Sequence, residues 1–162
     1  MNLDHLNVVI LAYSRAGTFE KVLKSCEDKL SRVKVVIDYP SSTYVSEQQK
    51  EILKIIANSN IECDLINRFH NHGLAASVIR AIKEELESKD HIVLLEDDCV
   101  PQEGFFEFVS ESLSRHRDNP NISSVCGTIS STPFNPWGWA TWKHKWNYEV
   151  FSKDDIINDP RM

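Results

Sequence analysis

The run His91-Ile92-Val93-Leu94-Leu95-Glu96-Asp97-Asp98 decides how the rest of the chain is read. Residues 92–95 are all aliphatic, with no polar alternation. So short an unbroken run is the pattern of a strand buried on both faces. Such strands belong to parallel sheets covered by helices. Three acids close the run, so polar chemistry starts where the predicted strand leaves the sheet.

Upstream, Leu74, Val78, Ile82 and Leu86 recur at helical spacing and predict a helix over residues 73–88. Residues 62–68 read as a strand. Ser46 with Gln49 three positions later has capping-box form, opening a helix whose apolar face carries Ile52, Leu53, Ile55 and Ile56. Residues 33–37 predict a strand ending at Asp38, and Tyr39-Pro40-Ser41-Ser42-Thr43 is loop by composition. Thr18 is placed to cap a helix to about Lys29, with Phe19, Val22, Leu23 and Cys26 on one face. Residues 7–12 form the first predicted strand.

Downstream, an aromatic-rich helix after Pro101 carries Phe105, Phe106, Phe108, Val109 and Leu113. Residues 122–127 predict a fifth strand. From Thr128 the sequence turns to Ser, Thr, Pro and Trp. Five strands alternating with four helices predict a doubly wound, mostly parallel α/β sheet with helices on both faces. Ligands bind such sheets at the carboxyl ends of the strands. That edge holds Ala12, Tyr13 and Arg15, then Asp38, the loop before Gly73, and Glu96 to Asp98.

Composition narrows the function. The net charge of −6 excludes a nucleic-acid surface, and Lys143-His144-Lys145 is too short to reverse it. The four cysteines form no CxxC pair and are expected as buried free thiols in a reducing cytoplasm. His70 and His72 stand two apart, but nothing else in the sequence supports zinc. No apolar run approaches the roughly 20 residues of a transmembrane helix. The N-terminal residues lack the layout of a signal peptide. There is no GxGxxG, GxxxxGK[ST] or GxSxG, which removes dinucleotide dehydrogenases, P-loop ATPases and the usual α/β-hydrolases.

In strand geometry Glu96 and Asp98 would project to one side and Asp97 to the other. Three adjacent carboxylates repel one another, and a hard divalent cation, Mg²⁺ or Mn²⁺, relieves the repulsion. Such an ion would neutralise charge on a departing diphosphate.

The run Val93-Leu94-Leu95-Glu96-Asp97-Asp98-Cys99-Val100-Pro101, followed by Phe105-Phe106, resembles the DxD region of GT-A glycosyltransferases. It is most similar to the family 2-like bacterial sugar transferases and the N-acetylglucosaminyltransferase I group, whose version is also Glu-Asp-Asp. Pro136-Trp137-Gly138-Trp139-Ala140-Thr141-Trp142 with Trp146 is similar to their downstream Gly-Trp segment. The resemblance implies a GT-A, Rossmann-like fold. It also implies transfer from a nucleotide-diphosphate sugar, a UDP-sugar foremost, to a hydroxyl acceptor with inversion, in cell-surface glycan synthesis. In that scheme Ala12, Tyr13 and Arg15 lie beside the nucleotide and Asp38 accepts a hydrogen bond from uracil. Asn71 or His72 contacts the nucleotide or its phosphates. Glu96 contacts ribose, Asp97 the donor sugar or ribose, and Asp98 the metal. Trp137, Gly138 and Trp139 shape the sugar and acceptor side.

Relatives of this kind continue well past the Gly-Trp segment, and their catalytic base is a carboxylate there. Here the sequence ends at Met162, so the acceptor-side elements are expected to be lacking. Asp154, Asp155 and Asp159 are the base candidates. The expected division is a donor domain over residues 1–128 and the start of an acceptor-side region over 129–162. Without a completed acceptor side, Trp137, Trp139 and Trp142 would be partly uncovered and a route to self-association. The implied setting is cytoplasmic, peripheral at the inner face of the membrane, with a glycan or lipid-linked acceptor. The alternative is a non-catalytic nucleotide-sugar-binding domain.

Overall fold

The computed structural model describes residues 3–128 and 134–147. β1 (Val8–Ala12) and β4 (His91–Glu96) run parallel, side by side, with Val8 opposite Val93 and Leu11 opposite Glu96. Every residue of β1 and the four aliphatic residues of β4 are buried, as continuous apolar strands must be when both faces are covered. β2 (Arg32–Ile37) and β3 (Glu62–Asn67) extend the parallel set, giving the order β3-β2-β1-β4-β6-β5. β3 closes one edge, and its exposed Glu62 discourages further pairing there.

β5 (Ser124–Cys126) and β6 (Trp139–Trp142) complete the mixed sheet, β6 lying antiparallel to both β4 and β5. The sequence leads one to expect Trp137, Trp139 and Trp142 partly uncovered, and the structure corrects this for the last two. Trp139 and Trp142 are 5% and 1% exposed, while Trp137 just before them is 65% exposed. Trp142 donates from Nε1 to the carbonyl of Leu113 at 3.1 Å, which satisfies its one polar atom inside the core. Trp139 packs against Phe134 and Trp146. The sheet therefore does not end at residue 128, since β6 fills the place between β4 and β5.

The cores on the two faces follow from strand alternation. α1 (Ala16–Glu27), α2 (Thr43–Ala57) and α4 (Phe105–Arg115) bury Phe19, Ile52 and Val109 on one face, with Val93, Leu95 and Trp142. α3 (Gly73–Ser88) buries Ile82 and Leu86 on the other, with Ile92, Leu94 and Trp139. α1 and α2 carry the chain one way across the sheet, and α3 carries it back on the opposite face. Those three crossovers share one hand. α4 moves in the direction of α3 but over the face of α1, so its crossover from β4 to β5 has the opposite hand.

Two helix starts differ from expectation. α2 begins at Thr43 with Ser42 as its cap, Oγ accepting from Val45 N at 3.3 Å. Gln49 is drawn away from any capping box because its amide donates to the carbonyl of Asp38 at 2.8 Å. α1 begins at Ala16 without a side-chain cap of its own. Thr18 instead donates to the Arg15 carbonyl. A 3₁₀ turn (Lys143–Lys145) follows β6. All three of its side chains bond to backbone carbonyls, of Glu87, Arg117 and His116, which ties the turn to the ends of α3 and α4.

Candidate active site

The functional edge is where β1 and β4 diverge. β2 follows β1 on one side and β6 follows β4 on the other, a topological switch point. After β1 the chain turns sharply, and the amides of Tyr13, Ser14 and Arg15 all point at Oδ2 of Asp97, at 2.9, 3.1 and 3.3 Å. Successive amides arranged this way form a nest for an anion. Here the anion is the protein's own carboxylate, 3% exposed.

β4 ends at Glu96, and Cys99 N donates to the Glu96 carbonyl at 3.0 Å, so the chain turns before the strand period reaches Asp98. The alternation expected for the three acids is thereby broken. Glu96 and Asp97 line one cleft, and Asp98 lines its neighbour. Arg15 bridges them: one atom, Nη1, lies 3.1 Å from Asp97 Oδ1 and 2.9 Å from Asp98 Oδ2. The hydrogen bond to Asp97 raises the Arg15 pKa, against burial, with the carboxylates of Asp98, Asp97 and Glu96 adding to the rise.

Glu96 has the opposite environment. Burial, then repulsion from Asp98 and Asp97, pushes its carboxyl above the usual range, and Arg15 only partly offsets this.

Asp38 does not present a free carboxylate to a base. Oδ2 accepts from His72 N at 2.9 Å, Gly73 N at 3.1 Å and Ser77 Oγ at 3.1 Å. Oδ1 accepts from Tyr39 N and His72 N. The acid at the end of β2 thus caps α3 across the sheet, where the helix dipole favours negative charge. Asn71 is similarly engaged. Its Nδ2 donates to Tyr39 O and to Tyr13 Oη, its Oδ1 accepts from Gly73 N, and Tyr13 in turn donates to Ser41 Oγ. The His72 ring meets Arg80 rather than the cleft. Asp38 and Asn71 both line the cleft, and these internal bonds hold its wall.

The cleft between these groups has a volume of ≈ 290 Å³. Leu11, Val36 and Leu74 give it an apolar side, and Leu74 is 61% exposed although it opens a helix. Sequence periodicity put Leu74 in the core. Its true signal is position, one residue beyond the glycine that starts α3. Ser77, also not foreseen, is one turn further along. A second, more open cavity of ≈ 590 Å³ continues past Asp98 between Phe105, Phe108, Trp137 and Gly138. Its floor needs glycine at two places. A Cβ at Gly127 would meet the Phe105 ring at 2.4 Å, and one at Gly138 (φ +70°) would meet it at 3.2 Å.

Among the described residues no group of three or more His, Cys, Asp and Glu side chains is placed to hold a metal. Cys99 lies beside Asp98, but burial pushes its thiol up to about 11, so it stays neutral and suits no hard cation. Asp98, 41% exposed at its side chain, is the carboxylate available to a cation. One or two carboxylates completed by substrate phosphates is the way Mg²⁺ is commonly held, and this donor set fits that pattern. Asp154, Asp155 and Asp159 lie outside the described residues.

All four cysteines are free, with Cys26 buried and Cys63, Cys99 and Cys126 partly so. No helix among the described residues is long and apolar enough to cross a membrane.

No protein-family model matches the sequence, and no curated protein matches it. Solved structures do match in shape. A cytidylyltransferase from Leptospira borgpetersenii serovar Hardjo-bovis superposes with a TM-score of 0.57 at 11% identity, over 97% of this chain and 70% of that one. A 4-diphosphocytidyl-2C-methyl-D-erythritol synthase from Anaerococcus prevotii gives 0.51 at 11% identity, over 87% and 73%. At such identities the likeness is one of fold: a Rossmann-like α/β architecture with a mostly parallel sheet flanked by helices.

Proposed function

We propose that the chain is a metal-assisted glycosyltransferase, moving a sugar from a nucleotide-diphosphate sugar, with UDP as carrier, to a hydroxyl acceptor with inversion. The observation that carries this reading is the amide nest after β1, filled by Asp97. A phosphate chain cannot use those amides, so its charge must be met at the mouth of the cleft, by Arg15 and by a cation on Asp98. That arrangement suits a diphosphate that leaves. When bound, a divalent cation would supply Lewis-acid stabilisation of the diphosphate. Glu96 would accept hydrogen bonds from ribose hydroxyls, and Leu11, Val36 and Leu74 would cover a base.

The acceptor, a glycan or a lipid-linked sugar, would enter from the cavity of Trp137 and Gly138. A carboxylate among Asp154, Asp155 and Asp159 would take the proton of its attacking hydroxyl. On this reading residues 1–128 together with β6 form the donor side, and the remaining residues from 129 onward begin the acceptor side.

The shape of the solved neighbours favours a second reading, nucleotidyl transfer from a triphosphate such as CTP. The cleft speaks against it. Among the described residues Arg15 is the only Lys or Arg lining it, against the carboxylates of Asp38, Glu96 and Asp97, and a triphosphate needs more positive charge than that.

Calorimetric titration of UDP with Mn²⁺, and again with excess chelator, separates the readings. Metal-dependent UDP binding that disappears in Asp98→Ala supports the glycosyltransferase; unchanged UDP affinity in that variant sinks it. Pyrophosphate release from CTP would instead select nucleotidyl transfer. Hydrolysis of a UDP-sugar by the chain rules out a binding domain without catalysis.

A further inference from the structure

The position of Arg15 Nη1 has a meaning beyond pairing. It lies between two carboxylate oxygens of consecutive residues, 3.1 Å from one and 2.9 Å from the other. Asp97 is held in place, because three backbone amides bond its other oxygen. Asp98 and Arg15 carry no such backbone clamp among the contacts of this site, and their side chains are 41% and 57% exposed. Three consecutive carboxylates, Glu96, Asp97 and Asp98, therefore meet, among the described residues, the one positive charge of the exposed Arg15 side chain.

Resting on the glycosyltransferase reading, we propose that Arg15 is a stand-in cation which makes divalent-metal binding conditional on the nucleotide diphosphate. Without nucleotide, the guanidinium satisfies Asp98 and opposes a second cation by like-charge repulsion. With nucleotide, the planar fork of Arg15 has a better partner in a phosphate oxygen. Arg15 then releases Asp98, which is free to take the metal. Metal and nucleotide thus strengthen each other's binding, and by linkage the two enhancement factors are equal.

The test measures binding alone. Mn²⁺ is titrated by the loss of the free-ion paramagnetic resonance signal, with and without UDP, for the wild-type chain and for Arg15→Gln and Arg15→Lys. In the wild type Mn²⁺ affinity should rise at least about tenfold when UDP is added, a coupling of about 1.4 kcal/mol. In Arg15→Gln, Mn²⁺ should bind about tenfold more tightly than wild type without UDP, and the enhancement by UDP should shrink toward unity. Arg15→Lys, keeping the charge, should retain most of the wild-type coupling.

Equal Mn²⁺ affinity of wild type and Arg15→Gln without UDP overturns the proposal, as does full coupling in Arg15→Gln. Either result leaves the donor-site reading standing if UDP still binds with Mn²⁺. UDP binding that ignores Mn²⁺ in every protein overturns both. Circular dichroism of each variant confirms that the fold is kept. Should Arg15→Gln fail to fold, the wild type alone decides, because tight Mn²⁺ binding without UDP refutes the idea.

Discussion

Among single residues, Asp97 does the most to hold the frame of the site. Its carboxylate holds three amides and a guanidinium in a nearly closed environment. Replacing it by Ala leaves those donors unmet, and we expect a loss of about 3 kcal/mol in urea unfolding. Asp97→Asn, which keeps one acceptor, should lose less.

Glu96 should behave in the opposite way. Burial and its neighbours raise its folded pKa, so the folded chain holds this proton more firmly than the unfolded one. Stability from this group is then fully present below the unfolded value of 4.5 and is lost as the pH rises through the raised folded value. Glu96→Gln should raise the midpoint of unfolding at neutral pH and weaken nucleotide binding, a trade-off typical of functional sites. If Glu96→Gln is less stable than wild type at pH 7, the assignment of Glu96 as a ligand-facing acid is wrong. The sequence made all three acids visible. It could not show that Asp97 is turned inward, since the strand-to-turn change after Glu96 depends on how the loop after β1 packs.

At the scale of elements, β4 and α3 carry the site between them. β4 also begins with a titratable residue: His91 Nε2 lies 3.3 Å from Asn7 N and accepts from it. Burial first, then the charge of His5, lowers the His91 pKa, with Arg117 adding to the fall and Asp90 and Glu85 opposing it. Its contribution to stability is intact above 6.5, the ordinary value, and is lost as the pH falls through the lowered folded value. His91→Gln should flatten that part of a stability-against-pH curve, measured by thermal unfolding between pH 4 and 7.

α3 has its first turn held from another strand, by Asp38. We expect Asp38→Ala to cost about 2 kcal/mol. Amide exchange should accelerate at residues 73–77 well before it does in α1. The helices were legible because their apolar faces repeat in sequence, and α3 has the expected bounds. β6 was not: Trp139-Ala140-Thr141-Trp142 shows no alternation, and its two partners are distant in sequence, β4 (Leu94 opposite Trp139) and β5, where Gly127 N also donates to the Gly138 carbonyl.

Across the whole molecule, sequence and structure agree on a mostly parallel sheet layered between helices, because buried strands and amphipathic helices alternate along the chain. The hand of the last crossover left no local trace. It depends on which face α4 covers, and Phe106, Val109 and Leu113 would mark the same helix stripe on either face. If the cleft is a donor site, ligand binding should stabilise the fold as a unit. UDP with Mn²⁺ at about a hundred times the dissociation constant should add about 2.7 kcal/mol and raise Tm. UDP with chelator should leave Tm unchanged, and an equal rise in both would argue against metal linkage.

The order of the strands also sets a timetable for synthesis. β1 to β4 emerge in sequence and can assemble at once, but β5 finds no partner among them, because it bonds to β6. Until residue 142 has left the ribosome, β4 offers an open edge of aliphatic residues. A nascent chain paused within residues 97–138 would therefore be at its most adhesive, and chaperone capture should peak over that window and fall once β6 closes the gap.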